Sequence, residues 1–141
     1  MVLQGTIGNQ IYDATRRTDL KYINMPSYMW GRWTGEGTSN SIPRFSWTDN
    51  NGNWLSSDLY VKNGDYLRLR NIQLGYTLPQ KITKKVLISS LRLYVGAENL
   101  LTFTKYDGFD PEISDGGTST GIDRGIYPQA RTFTFGLNLK F

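Results

Sequence analysis

Arg131-Thr-Phe-Thr-Phe-Gly-Leu-Asn-Leu-Lys-Phe141 sets Phe133, Phe135, Leu137, Leu139 and Phe141 on one parity and Thr132, Thr134, Gly136, Asn138 and Lys140 on the other. Successive side chains leave a strand on opposite faces, so this stretch has one wholly apolar face and one polar face. The sequence stops at Phe141, with nothing after it to cover either. A strand of about ten residues, apolar outside and polar inside, is what an outer-membrane β-barrel uses to cross lipid. The other reading is the last edge strand of a soluble sandwich, and this stretch alone leaves both open.

Working back along the chain, two further segments alternate. Ser90 to Phe103 carries Leu91, Leu93, Val95, Ala97, Leu101 and Phe103 on odd positions, with Asn99 and Leu100 breaking the pattern. Asp65 to Leu78 carries Leu67 and Leu69 first, then Ile72, Leu74, Tyr76 and Leu78 on the opposite parity. A phase change of one residue is what a β-bulge at Arg70-Asn71 produces, because an extra residue resets which face is which. The opening gives a weaker strand over 2–12, and no segment has a helical stripe of period 3.6. The expected architecture is all-β, an antiparallel meander of about four strands near 2–12, 65–78, 90–104 and 131–141.

The connections are unequal. The link opened by Pro79 is short, whereas 13–64 and 105–130 are long and rich in Gly, Asp, Ser and Thr. Compact soluble domains rarely hold structureless loops beyond about 12–15 residues. Outer-membrane barrels do so on one side, with short periplasmic turns and long extracellular loops. Loop asymmetry and strand alternation therefore agree on a barrel wall with two long extracellular loops.

Composition is compatible with this. Hydrophobic residues make up 38% of the 141 and aromatics 13%, with formal net charge +4. The mean hydropathy of -0.44 excludes a helical membrane protein but not a barrel, whose alternating strands average out. With no cysteine, there is neither a disulfide framework nor a thiolate metal site. Met1-Val-Leu-Gln-Gly-Thr6 has no basic n-region or apolar h-region, so no signal peptide is expected in this stretch.

Longer blocks then carry a resemblance. Tyr66-Leu-Arg-Leu-Arg-Asn-Ile-Gln-Leu-Gly-Tyr-Thr-Leu-Pro79 resembles a block near the end of SusC/RagA-family TonB-linked outer-membrane transporters. Ser89 to Tyr106, Gly108-Phe-Asp-Pro-Glu112 and Tyr127 to Phe141 follow in the order that family shows. Upstream, Gly8 to Arg17 and Arg32 to Arg44 are similar to its preceding segments. The resemblance implies the carboxy-terminal part of a 22-stranded barrel that imports glycans or peptides. It implies as partners a SusD-like lipoprotein lid, the TonB complex and the lipid bilayer, with an outer-membrane location. The plug and TonB box of that family are not among these residues. Phe133, Phe135, Leu137, Leu139 and Phe141 are then expected to face lipid, with Phe141 ending the assembly signal. The alternative is a small soluble β-domain that binds glycan or protein through aromatic loops.

Candidate loop contacts to a lid or substrate are Trp30, Trp33, Trp47, Trp54, Tyr106, Phe109 and Tyr127, since Trp and Tyr offer large contact area with a polar handle. These aromatics can equally pin the loops. Asp107, Asp110, Glu112, Asp115 and Asp123 superficially invite calcium, but their spacing does not fit an EF-hand and acidic Gly-rich turns arise for conformational reasons. No metal or cofactor is expected. An enzyme is not expected either: His and Cys are absent, and beside Asp110 and Glu112, the one close acidic pair, nothing identifies a nucleophile or oxyanion site. Arg68, Arg70 and Arg92 interleave with strand apolars as in a polar lumen wall. That argues against a nucleic-acid partner, which needs them gathered on one exposed face.

Overall fold

The computed structural model describes residues 1–16, 24–46, 48–53, 55–113 and 120–141, with the side chain of Val86 also outside the description. In chain order the strands are β1 (Val2–Thr6), β2 (Gln10–Asp13), β3 (Val61–Asn63), β4 (Tyr66–Thr77), β5 (Ser90–Thr104), β6 (Ile122–Asp123) and β7 (Thr132–Lys140), with a one-turn helix α1 (Gln80–Thr83) between β4 and β5. The chain divides into two compact units: Met1–Asn9, Gly64–Glu112 and Tyr127–Phe141 form the first, and Gln10–Asn63 with Ile113–Ile126 the second.

The first unit is an antiparallel sheet in the order β1-β4-β5-β7, a meander. Its register segregates the two kinds of residue. Apolar side chains pair with apolar ones: Leu67 with Phe103, Leu69 with Leu101, Leu74 with Val95, then Val95 with Phe135 and Leu93 with Leu137. Polar positions meet polar or small ones: Arg68 with Thr102, Asn71 with Glu98, Thr77 with Arg92, Arg92 with Asn138. Since neighbouring strands place directly opposed residues on the same face, the sheet has one greasy side and one polar side.

The bulge expected at Arg70-Asn71 is present. Asn71 pairs with Val2 and Leu69 with Leu3, so two steps on β4 oppose one on β1. The same two steps oppose three on β5, where Asn71 meets Glu98 and Leu69 meets Leu101. The extra residue on β4 switches the parity of its apolar set. The further one on β5 restores parity there, which is why Asn99 and Leu100 break an otherwise regular pattern. Asn99 sits at φ 51, a conformation that Asn tolerates better than most side chains. Its amide donates to the Ala130 carbonyl at 3.0 Å.

The opening departs from the expected single strand over 2–12. β1 ends at Thr6, and β2 belongs to the other unit. Gly8 takes φ 80, and the Asp65 carboxylate accepts the N–H groups of Gly8 (2.6 Å) and Asn9 (3.0 Å). A side chain far along the sequence thus supplies the acceptor that ends the strand. At the short turn, Pro79 stands at the start of α1, and Leu87 at φ 60 ends the 3-10 turn Lys84–Val86 that follows it, after which Ser89 N–H donates to the Lys140 carbonyl at 2.8 Å.

The second unit adds two features beyond the expected four-stranded antiparallel meander. Residues 13–64 and 105–130 are not without structure: they contribute β3 and β6, which flank β2 in a small sheet. The β2–β6 pair is parallel, so the chain is not antiparallel throughout. In this unit Ile11 is wholly buried and Tyr60 is buried too, the Tyr60 ring lying 5.9 Å from that of Tyr12. Asp13 is buried too, held by Arg16 Nε at 2.7 Å and by the backbone N–H of Thr15 at 3.1 Å.

Candidate functional site

On the polar side of the first unit, β4 carries Arg68 with its side chain only 3% exposed. A buried guanidinium is tolerated only when its donors are matched, and all of its nitrogens are engaged here. Nε donates to the Thr102 hydroxyl at 3.0 Å, Nη1 to Glu112 Oε2 at 2.8 Å and Nη2 to Asp110 Oδ1 at 2.6 Å. The Tyr66 ring lies 5.7 Å from the guanidinium carbon, within cation–π range. Arg70 reaches both oxygens of Glu112 at 2.8 Å, and Gln4 on β1 donates to Glu112 Oε1 at 3.2 Å. Two cations and two carboxylates thus close a charge-balanced cluster against the sheet.

Asp110 has a second task. Its Oδ1 also accepts the Glu112 N–H at 2.9 Å, and its Oδ2 accepts the Gln129 N–H at 2.9 Å. Burial works to raise the Asp110 carboxyl, but the N–H groups of Gln129 and Glu112, with the Arg68 guanidinium, outweigh it and hold its pKa below the usual 3.8. A carboxylate kept ionised by so many donors is not a proton shuttle. The cluster clamps the turn 110–112, and the chain at Gln129, onto the polar wall.

Spacing joins the two halves: Arg68-Leu-Arg70 on a strand faces Asp110-Pro-Glu112 in a turn, each offering like charges two residues apart. Taken separately in the sequence, the first pair suits a lumen wall and the second is the one close acidic pair, and nothing local joins them. The matched i, i+2 spacing with opposite sign was the available signal.

The greasy side is open. Leu74 is 73% exposed and Phe135 80%, and with Tyr76, Leu93, Val95 and Leu137 they line one shallow apolar groove. Phe133, Leu139 and Phe141 are exposed as well. Contiguous apolar surface on this scale marks a face that meets another phase or partner.

The aromatic candidates are dispersed. Trp30, Trp33, Phe109 and Tyr127 are exposed. Tyr106 differs from a surface contact: it is buried, its ring lying so close over Gly108 that any side chain there would collide with it. Trp47 and Trp54 lie outside the described residues, as does Asp115. The acids considered for calcium are committed elsewhere, Asp110 to the clamp and Asp123 to the N–H groups of Gly125 (2.8 Å) and Ile126 (3.3 Å). Among the described residues no group of three or more ligating side chains gathers.

No family model matches the chain. It is 35% identical over its whole length to TonB-dependent receptor P3 of Formosa agariphila, of which it spans 14%. Over 60% of its length it is 38% identical to TonB-dependent receptor SusC of Bacteroides thetaiotaomicron, spanning 8% of that protein. The structure of the RagAB peptide transporter superposes on 99% of this chain with a TM-score of 0.74 at 26% identity, using 15% of its own. Along its whole length this sequence is thus similar to one segment of the SusC/RagA-type TonB-dependent receptors. Those relatives are outer-membrane receptors and transporters rather than enzymes. The exposed apolar side and buried charged side of this sheet fit that setting.

Proposed function

We propose that these residues form part of the wall of a TonB-dependent barrel that imports glycans or peptides across the outer membrane, with a SusD-like lipoprotein and the TonB complex as partners of the complete receptor. Phe133, Phe135, Leu137, Leu139 and Phe141 make a lipid-facing row of this wall, and the Arg68–Asp110 clamp faces the lumen. Exposed Trp30, Phe109 and Tyr127 are the loop side chains offered to lid or substrate. The observation that carries the reading is the division of one sheet into an open apolar face and a polar face with a fully matched buried arginine. A soluble domain would leave the same large side chains in water at a cost of roughly 1.5–3 kcal/mol each.

The test is a pair of substitutions on β7 in the intact receptor. Phe135→Arg is expected to lower the inserted fraction, read by heat-modifiable mobility, because arginine on the lipid face costs about 2–4 kcal/mol near the bilayer midplane. Thr134→Arg, one residue away on the opposite face, is expected to insert normally. Equal insertion of the two variants overturns the assignment of faces.

A further inference from the structure

We infer that Trp33, residues 39–44, Asn51 and Asn53 of the second unit hold a binding site for a sugar carrying a carboxylate, such as a uronic acid residue within an oligosaccharide. This deepens the import reading above and rests on it. The site is an open depression of about 490 Å³ bounded by Trp33, Ser39, Asn40, Arg44, Asn51 and Asn53, a volume within the range of small-ligand pockets.

Its walls are held in place by the chain itself. Trp33 N–H donates to the Ile42 carbonyl at 2.9 Å. The Thr38 hydroxyl accepts the N–H groups of Thr34 (2.9 Å) and Gly35 (3.1 Å), and the Ser39 hydroxyl accepts that of Ile42 at 3.1 Å. Asn53 Nδ2 donates to the Arg44 carbonyl at 3.1 Å, tying the far rim to the near one. A rim fixed in this way loses little freedom when a ligand arrives.

The groups left over define the ligand. The Arg44 guanidinium has no ion pair, hydrogen bond or ring contact among the described residues, and the side-chain amides of Asn40 and Asn51 make no hydrogen bonds there either. A free guanidinium presents a planar fork of donors that matches a carboxylate. Free amides donate and accept at once, as vicinal hydroxyls require. The half-exposed Trp33 ring offers a flat face for the C–H side of a pyranose. These three offers together describe an acidic sugar. A peptide adding as a strand would find the backbone N–H groups of Trp33, Thr34, Gly35 and Ile42 already used within the loop.

The experiment is calorimetry on the intact receptor with trigalacturonic acid and its methyl ester, which keeps the rings and removes the charge. The acid is expected to bind about tenfold or more tightly than the ester, and Arg44→Gln to erase that difference while Arg44→Lys retains part of it. Trp33→Ala is expected to weaken both ligands alike. Equal affinity for acid and ester, or discrimination that survives Arg44→Gln, overturns the proposal, as does Arg44-dependent binding of triglutamate without binding of the sugar. Heat-modifiable mobility of each variant reads the barrel separately, so a receptor that inserts yet fails to discriminate overturns this site and leaves the import reading standing.

Discussion

Removing the Asp110 carboxylate tests the clamp directly. In Asp110→Ala, Arg68 keeps Glu112 Oε2 and the Thr102 hydroxyl but loses its 2.6 Å partner, with its side chain only 3% exposed. Stripping one partner from a buried ion pair costs about 3–5 kcal/mol, and the surviving contacts place this case near the lower end, about 3 kcal/mol. The N–H groups of Glu112 and Gln129 lose their acceptor in the same step. The readout is amide hydrogen exchange in the intact receptor. Exchange at Glu112 and Gln129 is expected to accelerate about a hundredfold, the rate equivalent of about 3 kcal/mol. Asp110→Asn retains an acceptor oxygen but not the charge, and about tenfold is expected. Arg70→Gln is the control: Arg70 is 38% exposed, so its pair with Glu112 is worth at most about 1 kcal/mol, or roughly fivefold. Acceleration in Asp110→Ala no larger than in Arg70→Gln would refute the idea that Asp110 carries the clamp.

Two other outcomes follow from the same sheet and turn. Because the folded Asp110 pKa lies below 3.8, its contribution is fully present above the unfolded value and is lost as pH falls through the folded one. Protection at Gln129, corrected for intrinsic exchange, should therefore hold down to about pH 4 and decline only below it; decline already at pH 5 to 6 would show that the carboxyl is not so held. Gly136→Ala places a methyl group inside the Tyr94 ring, which lies across from it on the neighbouring strand. Overpacking of this kind costs about 1–3 kcal/mol, and Tyr94→Ala in the same chain should restore heat-modifiable mobility; an undisturbed Gly136→Ala barrel contradicts that packing.

Much of the sheet is legible in one dimension because a strand buries or exposes alternate residues. Phe133 to Leu139 and Leu91 to Ala97 announce their faces without help, and the parity break at Arg70-Asn71 announces the bulge. The opening strand is misread because what stops it is remote: Asp65 captures the N–H groups of Gly8 and Asn9, and no local pattern signals that. The small second sheet escapes for a related reason, since β3 and β6 are only three and two residues long, too short for a period. The clamp joins residues more than forty positions apart. Its halves look ordinary separately, an arginine pair on a strand and an acidic turn, and only the ladder that puts Tyr66 opposite Thr104 brings the turn back over the arginines.

The bulge makes the wall behave like a message read two letters at a time. Between the same two rungs β1 advances one residue, β4 two and β5 three. Deleting Arg70 would shift the frame by a single letter, and either Leu67 and Leu69 or Ile72, Leu74 and Tyr76 would change sides, exchanging the apolar face for the polar one along half the strand. Insertions or deletions at this level are thus tolerable only in pairs or with a matching change on the next strand. Related receptors that differ in length here should differ on two adjoining strands at once.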